Sequence, residues 1–135
     1  MIVIERLDHL VLTVADIERA CAFYAAVLGL TVETFGEGRK ALRFGDQKIN
    51  LHRAGHEFEP KAKKPTPGSG DLCFIAETSM AEVIEHLRRC GVAIEVGPVE
   101  REGAAGALVS VYIRDPDGNL IEIANRDLSL RPAFP

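Results

Sequence analysis

A repeated strand–helix unit is the feature of this sequence that most restricts its fold. Residues 8–14 (DHLVLTV) and 70–76 (GDLCFIA) both have the pattern of a strand, and a helical pattern follows each. The glycines that end these helices, Gly29 and Gly91, are separated by the same number of residues as the two strand segments. A unit this short cannot bury its apolar face alone, so we expect the two copies to dock, within one chain or across a dimer.

Each unit continues with three further strand patterns. The predicted elements of the first module are strand 6–14, helix 16–28 and strands 31–36, 40–45 and 47–53; those of the second are strand 71–76, helix 80–90 and strands 93–97, 107–114 and 119–125. Asp16 and Ser79 stand where helix N-caps belong. The predicted fold class is α+β, with two βαβββ modules in a single domain: module one over 6–53, a linker over 54–69, module two over 70–125 and a tail over 126–135.

Composition excludes several classes of function. With 16 Lys and Arg against 20 Asp and Glu and a pI near 5.6, the chain lacks the basic surface that nucleic-acid binding needs. The apolar opening, residues 1–4, is interrupted by Glu5 and Arg6, which makes it too short for a signal peptide or a membrane span. We therefore expect a cytoplasmic protein without nucleic-acid or membrane partners. Its 3 cysteines have no CxxC spacing, so neither a disulfide framework nor a zinc knuckle is indicated.

Four residues of metal-binding type occupy related places in the two modules. They open the first strand or lie within the last strand of each module: His9, His52, Asp71 and Glu122. Two imidazoles with one or two carboxylates suit a divalent ion such as zinc, nickel, manganese, cobalt or iron. If Asp71 only supports a ligand, the other three form a two-His-one-carboxylate triad that suits Fe(II). An Asp that opens a strand can equally be a turn residue.

Alternation along the strands predicts which other side chains share a face with these candidates. The inward set consists of Arg39, Arg43, Lys48, Asn50, Ser110, Tyr112 and Arg114. Four of them are cations in a chain of net charge −4, which favours an anionic substrate over a role in solubility. A solvated rim is the alternative. Cys73 has the same parity but no activating cation beside it in the sequence, so we expect inert packing, and we expect His56 and His86 to be surface residues.

Two sequence stretches carry a resemblance to a known family. The phrase LDHLVLTVADIERACAFYAAVLGL and the closing hairpin VYIRDPDGNLIEIAN resemble the vicinal oxygen chelate superfamily, which includes glyoxalases, bleomycin-resistance proteins and extradiol dioxygenases. FGEGRKALRFGDQKINLH and PTPGSGDLCFI look most like glyoxalase-domain-containing protein 5-like members. The resemblance implies paired modules whose eight strands curl into a cup, with helices outside, around a divalent metal held by His9, His52, Asp71 and Glu122. The match is incomplete, because glyoxalase I-like members have Glu or Gln where His52 stands and His where Asp71 stands.

The function expected from these observations is that of a metal-dependent lyase or isomerase. Its substrate would be a small, anionic molecule with vicinal oxygens, bound in part by Arg39, Arg43, Lys48, Asn50 and Arg114. Glu122, or Asp71, would act as the base and Tyr112 would supply a proton. An Fe(II)-dependent extradiol-type dioxygenase is the first alternative, and a non-catalytic protein that binds a drug or metabolite is the second. Exposed sheet edges further favour a homodimer.

Overall fold

A computed structural model of the chain describes residues 1–127; the rest of the predicted tail, residues 128–135, lies outside the described residues. The chain divides into two compact units, with the boundary between Ser69 and Gly70. Each unit is a four-stranded sheet with one helix. The predicted α+β class and the two βαβββ modules are confirmed.

The first unit is built on a mixed sheet. Its elements are β1 (His9–Val14), α1 (Ile17–Leu28), β2 (Thr31–Phe35), β3 (Arg39–Phe44) and β4 (Gln47–Arg53). The strand order is β1-β4-β3-β2, and the first and last strands of the module pair in parallel. Helix α1 packs against β2, β3 and β4. The core includes Val14, Tyr24, Leu42 and Ile49, which are almost completely buried.

The second unit repeats this topology. Its elements are β5 (Asp71–Ile75), α2 (Met80–Arg89), β6 (Val96–Gly103), β7 (Gly106–Arg114) and β8 (Leu120–Arg126). The strand order is β5-β8-β7-β6, again with the first and last strands in parallel. Leu87, Val111, Ile113 and Ile121 are buried in its core. The topology therefore places side by side the two strands of each module that carry candidate metal ligands.

The helix ends follow the local signals in the sequence. The Asp16 side chain accepts a hydrogen bond from the backbone N–H of Arg19 at 3.0 Å, and Gly29 ends α1 in the left-handed region with φ of 68°. The Ser79 hydroxyl accepts one from the Glu82 N–H at 3.3 Å, which is one half of a capping box. Among residues 1–127, neither helix is long and apolar enough to cross a membrane.

One strand differs clearly from its prediction. Residues 93–97 were the expected third strand of module two, but β6 begins at Val96 and extends to Gly103. The segment Gly97-Pro98 has the composition of a strand break, which is why the prediction ended there. Because β6 lies at the edge of the sheet, it tolerates a proline that cannot donate a ladder hydrogen bond, and its pairing with β7 is irregular between Val96 and Val99.

Candidate functional site

The register of the first sheet defines one polar face. Across the parallel pair of β1 and β4, His9 lies opposite Lys48, Val11 opposite Asn50 and Thr13 opposite His52. The intervening apolar residues Leu12, Val14, Ile49 and Leu51 are buried. Alternation along the strands therefore places these polar side chains on one face of the sheet.

The same register separates the two histidines of the expected metal site. His52 lies four residues beyond the partner of His9, which corresponds to roughly 13 Å along a strand. Metal–imidazole bonds are only about 2.0–2.1 Å long, and side chains stand roughly perpendicular to a sheet. The register therefore opposes the expectation that His9 and His52 bind the same ion.

His9 has the surroundings of an oriented ligand. Its Nδ1 lies 2.8 Å from Oδ2 of Asp8, and its side chain is 44% exposed. A carboxylate on one ring nitrogen fixes the orientation of an imidazole and leaves the other nitrogen available to a metal. The Asp8 carboxylate is stabilised in turn, since the hydrogen bond from His9 holds the pKa of Asp8 below its usual value.

Asn50 occupies the place in β4 that corresponds to Glu122 in β8. Asn50 lies opposite the residue two positions after His9, and Glu122 lies opposite the residue two positions after Asp71. Only 6% of Asn50 is exposed, and its Oδ1 is buried without a hydrogen-bond partner. A buried amide oxygen without a donor is destabilising, so Asn50 is suited to a ligand that supplies a positive charge or an N–H or O–H group.

His52 lies in a different environment, under the linker. It is 4% exposed, its ring meets the Phe58 ring edge to face at a centroid distance of 5.6 Å, and Nη2 of Arg39 lies 3.5 Å from its Nε2. Burial, followed by the Arg39 guanidinium, lowers the pKa of His52. The neutral imidazole is therefore favoured, and its Nε2 faces a cation.

In the second unit, Glu122 is the oriented carboxylate. The Ser110 hydroxyl donates a hydrogen bond of 2.6 Å to its Oε2, and Glu122 lies opposite Cys73 in the parallel pair of β5 and β8. Asp71 is on the same face of β5 as Cys73 and is exposed. Ser110, which is fully buried, is thus a positioning residue for the Glu122 carboxylate.

A cavity of about 540 Å³ opens on this face of the second sheet. Its lining includes Cys73, Arg101, Leu108, Tyr112, Glu122 and Arg126. Nε of Arg101 donates a hydrogen bond of 3.0 Å to the Tyr112 hydroxyl oxygen, which leaves the phenolic hydrogen available to another acceptor. The cavity combines a carboxylate, a phenol and guanidinium groups, and its volume suits a small organic molecule.

The Cys73 thiol in this cavity is a poor nucleophile. Partial burial raises its pKa to about 11, and the neighbouring Glu122 carboxylate acts in the same direction. The thiol therefore stays protonated near neutral pH, whereas nucleophilic cysteines need a lowered pKa. This supports the expectation of inert packing.

The four expected cations of the anion site have two kinds of partner. Arg43 donates two hydrogen bonds to the Glu33 carboxylate, at 2.7 and 2.9 Å, and Arg114 likewise binds Glu95 at 3.0 and 3.1 Å. Both guanidinium groups are thus already neutralised by acidic partners within their own units. The other two cations, Arg39 and Lys48, lie instead against aromatic rings.

Several residues of these sites were missed in the sequence. Arg101 lies on the part of β6 beyond the predicted strand, and Arg126 is the last residue of β8 but falls in the predicted tail. Phe58 lies in the predicted linker, for which the sequence indicates no site role, although it contacts Arg39 and His52. Strand parity would have identified Arg101 if the strand had been extended past Pro98.

Within residues 1–127, no group of three or more His, Cys, Asp or Glu side chains has an arrangement that could hold a metal ion. Each unit contributes two of the four expected ligands, His9 and His52 in the first and Asp71 and Glu122 in the second. The four-ligand site therefore stays a prediction.

Comparisons with known proteins identify the family. The family model described as the Glyoxalase/Bleomycin resistance protein/Dioxygenase superfamily matches residues 6–123. Virulence protein STM3117 of Salmonella typhimurium is 58% identical over 90% of this chain and 85% of its own length. Its crystal structure has a TM-score of 0.92 at 56% identity and covers 93% of this chain and 100% of that one.

Two further relatives widen the comparison. Glyoxalase domain-containing protein RDO1 of Mycosarcoma maydis is 52% identical over 90% of this chain and 69% of its own length. A lactoylglutathione lyase of Salmonella typhimurium is 29% identical over 87% of this chain and 90% of its own length. The chain therefore belongs to the Glyoxalase/Bleomycin resistance protein/Dioxygenase superfamily.

Proposed function

We propose that this chain is a metal-dependent enzyme, a glyoxalase-like lyase or isomerase that acts in the cytoplasm on a small anionic substrate with vicinal oxygens. The observation that carries the proposal is the Glu122 carboxylate, which Ser110 orients on the wall of a cavity shared with Tyr112 and Arg101. A carboxylate base beside a phenol is a suitable pair for moving a proton between neighbouring atoms of a substrate. Membership of a superfamily that contains a lactoylglutathione lyase supports this reaction class.

The donor types of each unit suit a divalent metal ion, with one change from the sequence prediction. In the first unit we propose His9 and Asn50 as ligands, and in the second unit Glu122, with Asp71 as a further ligand or as support for one. His9 has one nitrogen held by Asp8 and the other available, and Asn50 has an orphaned buried oxygen. One imidazole with oxygen donors suits zinc, nickel, manganese, cobalt or iron. His52 is left out because its register position is remote from His9 and its Nε2 faces Arg39.

The side chains of the cavity have separable roles in this proposal. When bound, a divalent ion would polarise a substrate oxygen as a Lewis acid and so make the hydrogen on the adjacent carbon more acidic. Glu122, or Asp71, accepts that proton, and the hydrogen bond from Ser110 fixes the direction of the Glu122 carboxylate. Tyr112 supplies a proton, while Arg101 holds its oxygen in place. The protonated Cys73 does not compete as a nucleophile.

Metal analysis of three alanine variants tests the ligand assignment. We expect His9→Ala to weaken metal binding by at least roughly 100-fold, since loss of a ligand should exceed the 10- to 100-fold effect of losing a supporting contact. His52→Ala should retain most of the metal, and His56→Ala, an exposed linker histidine, is the matched control. Elemental analysis of each protein, purified without added metal, gives the stoichiometry. Full metal content in His9→Ala, or its loss in His52→Ala, would overturn the assignment.

The register also bears on the first alternative function. An Fe(II)-dependent dioxygenase was expected to use two histidines and one carboxylate, with His9 and His52 as the histidines. The offset of four residues between their register positions removes that support. Elemental analysis again distinguishes the two functions, because stoichiometric iron with oxygen uptake on a vicinal diol would favour the dioxygenase over the lyase or isomerase.

A further inference from the structure

We propose that Arg39 and Lys48 form an anion seat on the first sheet, which receives the carboxylate or phosphate group of a small ligand and which Phe58 of the linker covers. The inference deepens the proposed function, since it names residues that would recognise an anionic group, and it rests on that function for the reaction itself. It replaces the broader set of four cations expected from the sequence, of which Arg43 and Arg114 are already paired.

Two cations converge on a single aromatic ring. The guanidinium carbon of Arg39 lies 5.0 Å from the centre of the Phe35 ring, and the Lys48 ammonium lies 3.9 Å from the same centre. The register partner of Lys48 on β3 is Arg43, which lies four residues from Arg39. The Lys48 side chain therefore approaches the ring from the opposite end of the polar face. The ring attracts both cations, but their mutual repulsion persists. An anion bound beside them would remove this repulsion.

The acidic groups near this pair are engaged elsewhere. Glu33 holds Arg43 through two hydrogen bonds, and Asp8 is bonded to His9. In the part of the chain that the structure describes, Arg39 and Lys48 have no carboxylate within ion-pair distance, and Nε of Arg39 is buried without a hydrogen-bond partner. A buried donor on a charged group without a partner is a costly arrangement. The oxygen of a bound anion would complete the hydrogen bonding of this group.

The linker forms the cover of this seat. Phe58 lies 4.4 Å from the guanidinium carbon of Arg39, measured to the ring centre, so Arg39 contacts two aromatic rings. The segment around Phe58 is held by a hydrogen bond of 2.8 Å from the Gly55 N–H to Glu57 and by ion pairs of Lys61 with Glu57 and Glu59. Apolar rings around a guanidinium exclude water and so strengthen its interaction with an anion.

The chemistry of the seat favours a flat oxyanion. A guanidinium in contact with aromatic rings offers its N–H edge, which matches the two oxygens of a carboxylate or phosphate. Phe35 and Phe58 would contact an apolar or aromatic body attached to that group. Benzoate and phenyl phosphate are therefore suitable probes, and benzamide is the neutral counterpart of benzoate.

Calorimetric titration of the full chain, treated with a chelator to remove metal, tests the seat independently of the metal site. We expect benzoate or phenyl phosphate to bind and benzamide to bind far more weakly; the tighter of the two anions identifies the oxyanion class. Arg39→Gln should weaken anion binding roughly ten- to 150-fold, the loss of a charge-assisted bidentate contact. The matched control is Lys40→Gln, which removes the same charge from the neighbouring residue on the opposite face of β3 and should change the affinity less than about twofold.

A second variant keeps the test decisive if Arg39→Gln folds poorly. Arg39→Lys retains the charge but loses the paired N–H donors of the planar guanidinium, so it should give an intermediate affinity. Lys48→Gln should weaken binding without removing it. Equal binding of benzoate and benzamide, equal losses in Arg39→Gln and Lys40→Gln, or no binding of either anion would overturn the seat. Such a failure with normal metal content would leave the proposed metal site standing, and a metal-site failure would not alter these titrations.

Discussion

The Cys73 thiol gives a test of the electrostatics in the cavity that does not depend on substrate. With a pKa of about 11, it should have a thiolate population roughly 200-fold below that of an ordinary cysteine at pH 8. Because a thiolate of higher pKa is also more nucleophilic, the net expectation is alkylation about 20-fold slower than for an unperturbed thiol. Peptide mapping after timed iodoacetamide treatment of metal-free protein measures the rate at Cys73, with Cys90, which is likewise exposed, as the internal reference.

Glu122→Gln provides the matched variant for this experiment. Removing the negative charge beside Cys73 should lower the pKa of the thiol, because Glu122 contributes to its elevation through charge and hydrogen bonding. Burial is the larger cause, so the acceleration should be partial. Rapid labelling of Cys73 in the unaltered protein, at the rate of Cys90, would contradict this account of the cavity.

Residues of the candidate site illustrate what strand parity does and does not determine. Asn50 and His52 differ by two positions, so both face the same way, and alternation alone cannot choose between them. A ligand site needs a position along the strand as well as a face, and that position is set by the pairing of β1 with β4. Similarly, the pairing of Arg43 with Glu33 depends on two strands being neighbours, so parity assigned Arg43 to the polar face without indicating that its charge is neutralised.

At the scale of elements, the turn between β7 and β8 holds the second sheet together. Oδ1 of Asp115 accepts hydrogen bonds from the backbone N–H groups of Asp117 and Asn119, both at 2.9 Å, and its Oδ2 accepts one from the Asn119 side chain at 2.7 Å. Asn119 in turn accepts a bond of 2.6 Å from the Gly70 N–H, directly before β5. The turn therefore connects the start of β5 to the start of β8, next to the strands that carry Asp71 and Glu122.

Asp115→Ala should lower the free energy of unfolding by about 2–4 kcal/mol, because a buried carboxylate is lost and its donors are left unsatisfied. Urea unfolding followed by circular dichroism measures the change. Asp115→Asn keeps one acceptor oxygen for the backbone and should show a smaller loss. If both variants unfold at the midpoint of the unaltered protein, the turn does not have this structural role.

Most element boundaries could be predicted because the signals are local. The caps at Asp16 and Ser79 and the glycine at position 29 act within one turn of their helices. Strand β6 was misplaced because its tolerance of Pro98 depends on being at the sheet edge, which is a property of the sheet and not of the segment. The contact of Phe58 with Arg39 could not be predicted from the sequence either, since the folding of a linker onto a strand leaves no periodic pattern.

For the whole molecule, exposed apolar surface indicates association of two copies. Met1, Ile2, Val3 and Ile4 are between 78% and 119% exposed, and Val11 and Ile75, in the edge strands β1 and β5, are 44% and 45% exposed. The chain directly after these four residues is tied to the first unit by the ion pair of Arg6 with Asp46 and by a hydrogen bond from Gln47 to the Leu7 carbonyl. Contiguous exposed apolar residues and open sheet edges are typical of interfaces.

We therefore predict a homodimer whose interface includes the opening segment. Sedimentation velocity between about 1 and 100 μM should show a dimer that dissociates on dilution. Replacing Ile2 and Ile4 together by Ser should raise the dissociation constant by roughly 150-fold or more, since burial of each side chain contributes about 1.5–3 kcal/mol. Replacing the exposed linker residues Lys63 and Lys64 by Ser is the matched control and should leave the dissociation constant unchanged. A protein that remains monomeric at the highest concentration would rule out the dimer, and equal effects of the two double substitutions would place its interface elsewhere.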